Sequence, residues 1–107
     1  MRDKAASASI EGHVVVDPAG ETVGKVSRVI YDDAKANMPT WMVVDRGLLR
    51  PENYVPASGA YATPDDRVKV PFLKRWITAA PRVDRSGLTA PVRSELLTHY
   101  QLFQTGT

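Results

Sequence analysis

The first sustained pattern of apolar positions runs from Gly12 to Asp32, GHVVVDPAGETVGKVSRVIYD, where two valine- and isoleucine-rich arms flank a Pro-and-Gly turn. β-Branched side chains are stiff at χ1 and suit a pleated surface, so the arms predict a β-hairpin. Asp17-Pro18-Ala19-Gly20 supplies the turn, with a preset φ at Pro18 and a residue free to take positive φ at Gly20. Val23, Val26 and Ile30 also fit helical spacing. Gly24, however, would cost a helix interior about 1 kcal/mol relative to Ala, and a glycine that breaks the alternation marks a bulge in a strand.

Further along, Lys35 to Pro39 is a polar connection, and Thr40 to Arg46, TWMVVDR, is a third strand with apolar groups on both faces, as a central strand would have. Gly47 to Asn53 has turn chemistry at both ends and places Leu48 and Leu49 in a loop. Tyr54 to Pro56, Tyr61 and Arg67 to Val70 are shorter strand segments, punctuated by Ser58-Gly59 and Pro64-Asp65-Asp66. After Val70 the period changes. Phe72, Leu73, Trp76 and Ile77 predict a short helix with Pro71 at its first position, ended before Pro81. Thr89 is an N-cap candidate for a second helix, on which Val92, Leu96, Tyr100 and Phe103 form an apolar stripe. The expected fold is mainly β: a small, partly open antiparallel β-barrel with a short helix and a C-terminal amphipathic helix packed on it. Residues 1–10, small and polar, read as a flexible N-terminal tail, and 11–104 as a single domain including the C-terminal helix.

A chain of 107 residues suffices for one core that buries roughly 60–70% of the unfolded surface. It contains no cysteine, which excludes disulfides, thiolate metal sites and a cysteine nucleophile and fits a reducing, cytoplasmic setting. The longest apolar runs, Val14 to Val16 and Trp41 to Val44, fall far short of the ~20 residues of a membrane span, and MRDKAASASIEG carries no apolar signal-peptide region. The net charge of +2 comes from interspersed basic and acidic residues rather than from a basic run, so nucleic acid is possible but not favoured.

The succession DPAGETVGKV, WMVV with a GLL loop and YVP, VPFLKRWITAAPRV, and finally LLTHY resembles the PRC-barrel domain family, in particular its small stand-alone bacterial and archaeal members. The resemblance covers Gly12 to about Tyr100. It implies a partly open barrel that works through partners rather than as an enzyme. The family also includes a domain of the photosynthetic reaction-centre H subunit and a domain of a ribosome maturation factor. This chain lacks the transmembrane helix of the first and the companion domain of the second, so neither specific task transfers.

Catalytic constellations are absent from the sequence pattern. The serines have no GxSxG setting, and the glycines form neither a Walker pattern nor GxGxxG. His13 and Asp17 share one side of a strand but stand ~13 Å apart, too far for a common metal, and read as independent surface groups. His99 borders the helical stripe, and Asp32-Asp33 and Asp65-Asp66 read as solvated turn carboxylates. No cofactor, metal or catalytic residue is expected. Two surfaces remain as candidates. Arg46, Leu48, Leu49 and Arg50 form a leucine pair between arginines, which either binds a protein partner or folds back to cap the barrel. Trp76, Tyr100 and Phe103 either dock the helices or meet a second copy in a homodimer. The function these features favour is a non-enzymatic protein-protein adaptor. The alternative is an RNA- or ribosome-associated accessory factor, suggested by Lys74, Arg75, Arg82, Arg85 and Arg93 and testable by a steep salt dependence.

Overall fold

Val15 and Val16 on the first arm and Val23 and Val26 on the second are buried, and the sheet they build organises the molecule. The computed structural model describes residues 10–31, 39–83 and 87–105, with side chains outside the description at 39–40 and 101–105. The strands are β1 (Val14–Val16), β2 (Thr22–Tyr31), β3 (Pro39–Asp45), β4 (Asn53–Pro56), β5 (Tyr61–Ala62) and β6 (Arg67–Lys69), followed by helices α1 (Lys74–Thr78) and α2 (Ala90–Thr105). They form one six-stranded sheet in the order β4-β3-β2-β1-β6-β5. The expected tail falls almost wholly on residues outside the description, as do Asp32, Asp33, most of the Lys35–Pro39 connection, and Arg85.

The first hairpin forms as its sequence dictates. Gly20 donates to the Asp17 carbonyl at 2.9 Å, closing the turn, and Gly20 takes φ +86. The β1–β2 register slips between Val15 and Val16, whose partners are Gly24 and Thr22, leaving Val23 as the bulged residue. Gly24 sits beside that bulge because a side chain there has no room. A Cβ would strike the Asp45 carbonyl and lie 2.9 Å from Val44 Cγ1. On β3, Trp41, Met42, Val43 and Val44 are all buried, as a strand paired on both sides and covered on both faces requires.

One pairing departs from the expected antiparallel pattern: β1 and β6 are parallel, Val14 to Val16 running beside Arg67 to Lys69. The pairings give β4 and β5 the same sense. These strands occupy opposite edges of the sheet, yet only residues 57–60 separate them, and Ala60 donates to the Ala57 carbonyl at 3.1 Å within that link. Five Cα-to-Cα steps reach at most ~17 Å, whereas a flat six-stranded sheet would set its edges ~24 Å apart. The sheet must therefore curl until its edges approach. No strand pairing joins β4 to β5 among the described residues, so the sheet is mixed and is not closed.

Helix α1 begins at Lys74, later than its apolar pattern suggests. Leu73 is still extended, with φ −67 and ψ 147, and the Lys74 N–H donates to Asp17 Oδ2 at 2.9 Å. At the other end, Asn53 Nδ2 donates to the Ile77 carbonyl at 3.0 Å. A helix of 5 residues is far below the length that is stable alone in water, and these two sheet-borne side chains hold its ends. Helix α2 starts after Thr89, whose hydroxyl accepts from Val92 N–H at 3.4 Å. Leu96 and Tyr100 are buried, and the Tyr100 hydroxyl donates to the Tyr54 carbonyl at 2.7 Å, placing the helix over β4.

Candidate interaction site

The β3–β4 hairpin ends in the RGLLR segment, and its stem is fixed on both sides. Asp45 Oδ1 accepts from the Gly47 N–H at 2.8 Å. Beyond the tip, Glu52 meets Ser27 at 3.3 Å and Arg28 at 3.8 Å, while Arg28 also donates to the Tyr54 hydroxyl at 2.9 Å. At the tip itself, Arg50 N–H donates to the Gly47 carbonyl at 3.3 Å, giving a four-residue turn. Its third residue, Leu49, has φ +69, a position that favours glycine or asparagine. Leu48 and Leu49 are 93% and 103% exposed. They do not fold back onto the open end of the sheet. A branched side chain held in left-handed backbone costs roughly 1–2 kcal/mol, and burial of these leucines within the chain does not offset that cost.

The two arginines differ. Arg50 is exposed, whereas Arg46 is half-buried and its buried Nε has no hydrogen-bond partner. Arg46 borders an open groove of about 360 Å³ at the foot of the hairpin, with Lys25, Asp45 and Gly24 on its other walls. Neither arginine makes an ion pair among the described residues. The structure thus brings Arg46, Leu48, Leu49 and Arg50 together as a projecting apolar tip with a basic rim.

The second candidate surface faces inward in large part. Trp76 stacks on His99 at 4.9 Å and 18°, donates from Nε1 to the His99 carbonyl at 3.2 Å, and has its own carbonyl 2.8 Å from His99 Nε2. Tyr100 packs against Phe72 at 4.7 Å, and burial pushes its phenol well above the usual tyrosine range. Trp76 and Tyr100 therefore join α1, α2 and β4 within one chain. Phe103 lies on α2, with its side chain outside the described residues. His99 thus meets Trp76 through both its ring and its backbone carbonyl.

The remaining titratable groups are structural or dispersed. Asp17 is not the surface group its sequence position suggests: it is 2% exposed. Its Oδ1 accepts from Ala19 N–H at 2.9 Å and Glu21 N–H at 2.8 Å, and its Oδ2 accepts from Lys74. Burial alone would raise its pKa. The backbone N–H groups of Lys74, Glu21, Ala19 and Gly20 outweigh that and hold the carboxyl below its usual range. The Asp-Pro turn was the available signal, and the long-range partner, 57 residues away, was not. His13 lies 4.0 Å from Asp66 and makes no contact with Asp17. Asp65 is hydrogen-bonded to the Thr63 hydroxyl, which lowers its carboxyl pKa despite slight desolvation, and it pairs with Arg67 at 3.4 Å. Among the described residues no three His, Cys, Asp or Glu side chains converge as a metal site, and no helix is long and apolar enough to cross a membrane.

Lys74, Arg75, Arg82 and Arg93 are distributed over α1, the loop after it and α2. The exposed aromatics among the described residues, Tyr31 and Tyr61, lie on strands instead, so no stacking platform accompanies the basic groups. Neither the protein-family models nor the curated proteins contain a match to this chain.

Proposed function

We infer that this protein is a non-enzymatic interaction module, a partly open barrel of the PRC type that engages a protein partner through the Arg46–Arg50 hairpin tip. The observation that carries the reading is the outward Leu48–Leu49 pair, with Leu49 held at φ +69 on a braced stem. The left-handed backbone costs the isolated chain stability and the solvated leucines return none, and such features concentrate where a surface is kept ready for a ligand. Flanking arginines give the anchor-and-rim composition of an interface centre. The near approach of the sheet edges through residues 57–60 supports the barrel part of the reading. A homodimeric state and a cytoplasmic location belong to it as well.

The test is capture by immobilised protein, comparing wild type with the L48S/L49S double variant. Capture of the partner should fall by at least ~10-fold, since burying even one leucine is worth about 1.5–3 kcal/mol and each 1.4 kcal/mol is a factor of ten. Both variants should unfold at similar denaturant concentration. Equal capture by the two proteins would remove the tip from the interface.

A further inference from the structure

The curled sheet leaves an apolar cavity at its open seam, where β5 and the link from β4 pass over the interior. It measures about 90 Å³ and is lined by Ile10, Met42, Ala57, Ala60, Ala62 and Val68, with Tyr61 at its mouth. Its wall is mostly apolar, and three of those six side chains are alanines. That size is of the order of the ~150 Å³ apolar cavity that admits a benzene-sized guest, so it admits one aliphatic side chain, such as a leucine carried on a projecting tip. Tyr61, beside it, is 58% exposed.

Carboxylates neighbour the lining residues along the chain, and Lys69 is the cross-strand partner of Tyr61. Glu11 follows Ile10 and is exposed. Asp65 and Asp66 form the turn after Ala62, and their side chains are 65% and 89% exposed. Arg67 neutralises part of Asp65, whereas Asp66 has only His13 at 4.0 Å. Elsewhere on the same molecule stands a complementary shape: two fully solvated leucines between Arg46 and Arg50, neither arginine having an ion pair among the described residues.

We propose that a second copy of this chain is the occupant, its Leu48–Leu49 tip seated in the seam cavity with Arg46 and Arg50 facing Glu11, Asp65 and Asp66. This rests on the reading of the tip as a protein-binding surface and names its partner. The contact is heterologous, tip to seam, so one seating leaves a free tip and a free seam. Association then closes either as a two-fold pair with both seatings made or as a ring. Charge complementarity favours a protein of this composition over an anionic surface, because the seam supplies both the acidic rim and the apolar hole.

Sedimentation velocity across a wide concentration range tests it with three full-length proteins: wild type, L48S/L49S, and Ala62→Ile, which fills the hole with a strand-compatible side chain. Ala60→Ile serves as a second blocker if Ala62→Ile unfolds. Wild type should self-associate, more weakly at high salt. Each variant alone should stay monomeric over at least a tenfold higher concentration. An equimolar mixture of L48S/L49S with the blocked variant should form a dimer that grows no further, because one supplies a seam and the other a tip. Wild type that remains monomeric while L48S/L49S loses capture of another protein overturns the second-copy occupant and leaves the reading of the tip intact. Association that survives both L48S/L49S and the blocker overturns the seating, and if capture is also unchanged, the reading of the tip falls with it. Monomeric wild type bound to anionic vesicles through Leu48 and Leu49 would reassign the tip to a lipid surface.

Discussion

Asp17 shows how much a single side chain decides here. Its two oxygens close its own turn and hold the first N–H of α1, so Asp17→Ala removes several charge-assisted bonds at once and should destabilise by about 2–4 kcal/mol in chemical denaturation. The pH dependence has a definite sign. The folded pKa lies below the ordinary aspartate value of 3.8, so the unfolded chain binds the proton first as pH falls. The contribution of the carboxylate is complete above that value and is lost as pH drops through the lower folded pKa. The stability gap between wild type and Asp17→Asn should therefore shrink in acid, which denaturation at stepped pH measures. Leu49 works in the opposite direction. With φ +69, Leu49→Gly relieves left-handed strain and removes a solvated leucine, so the unfolding midpoint should rise, by about 0.5–1 kcal/mol after the extra freedom of glycine in the unfolded chain. Gly24→Val should cost about 1–3 kcal/mol, because its Cβ position is occupied by the Asp45 carbonyl.

At the scale of elements, local chemistry and tertiary contact divide the work. The first hairpin was legible because turn chemistry, β-branched arms and the position of Gly24 all specify it within neighbouring residues. Thr89 as a cap and Leu96 with Tyr100 as the docking stripe were legible for the same reason. The start of α1 was not, since Asp17 and Asn53 fix its ends from the sheet and neither has a sequence-local relation to Lys74 or Ile77. The Trp76–His99 stack is likewise a contact between separate helices. A double-mutant cycle of Trp76→Ala and His99→Ala should give a coupling of about 0.5–1.5 kcal/mol. A coupling near zero would mean that the two helices are held together elsewhere.

For the whole molecule, the sequence predicts a small barrel-like sheet, and the four-residue link between opposite edges explains its curl. The parallel pairing of β1 with β6 is a topological fact that hydrophobic period does not encode. The tip was partly legible: turn residues at both ends of GLLR placed the leucines on a loop, but whether they turned inward depended on the backbone at Leu49. Held outward, they make the fold and the proposed binding surface separable, so a change at the tip should act on association and spare the core. The direct measurement is partner capture by Leu49→Gly, with its denaturation curve as the fold control. Weakened capture together with an unchanged or raised unfolding midpoint is the predicted result. Full capture, or a midpoint lowered as by loss of a core residue, would contradict the account.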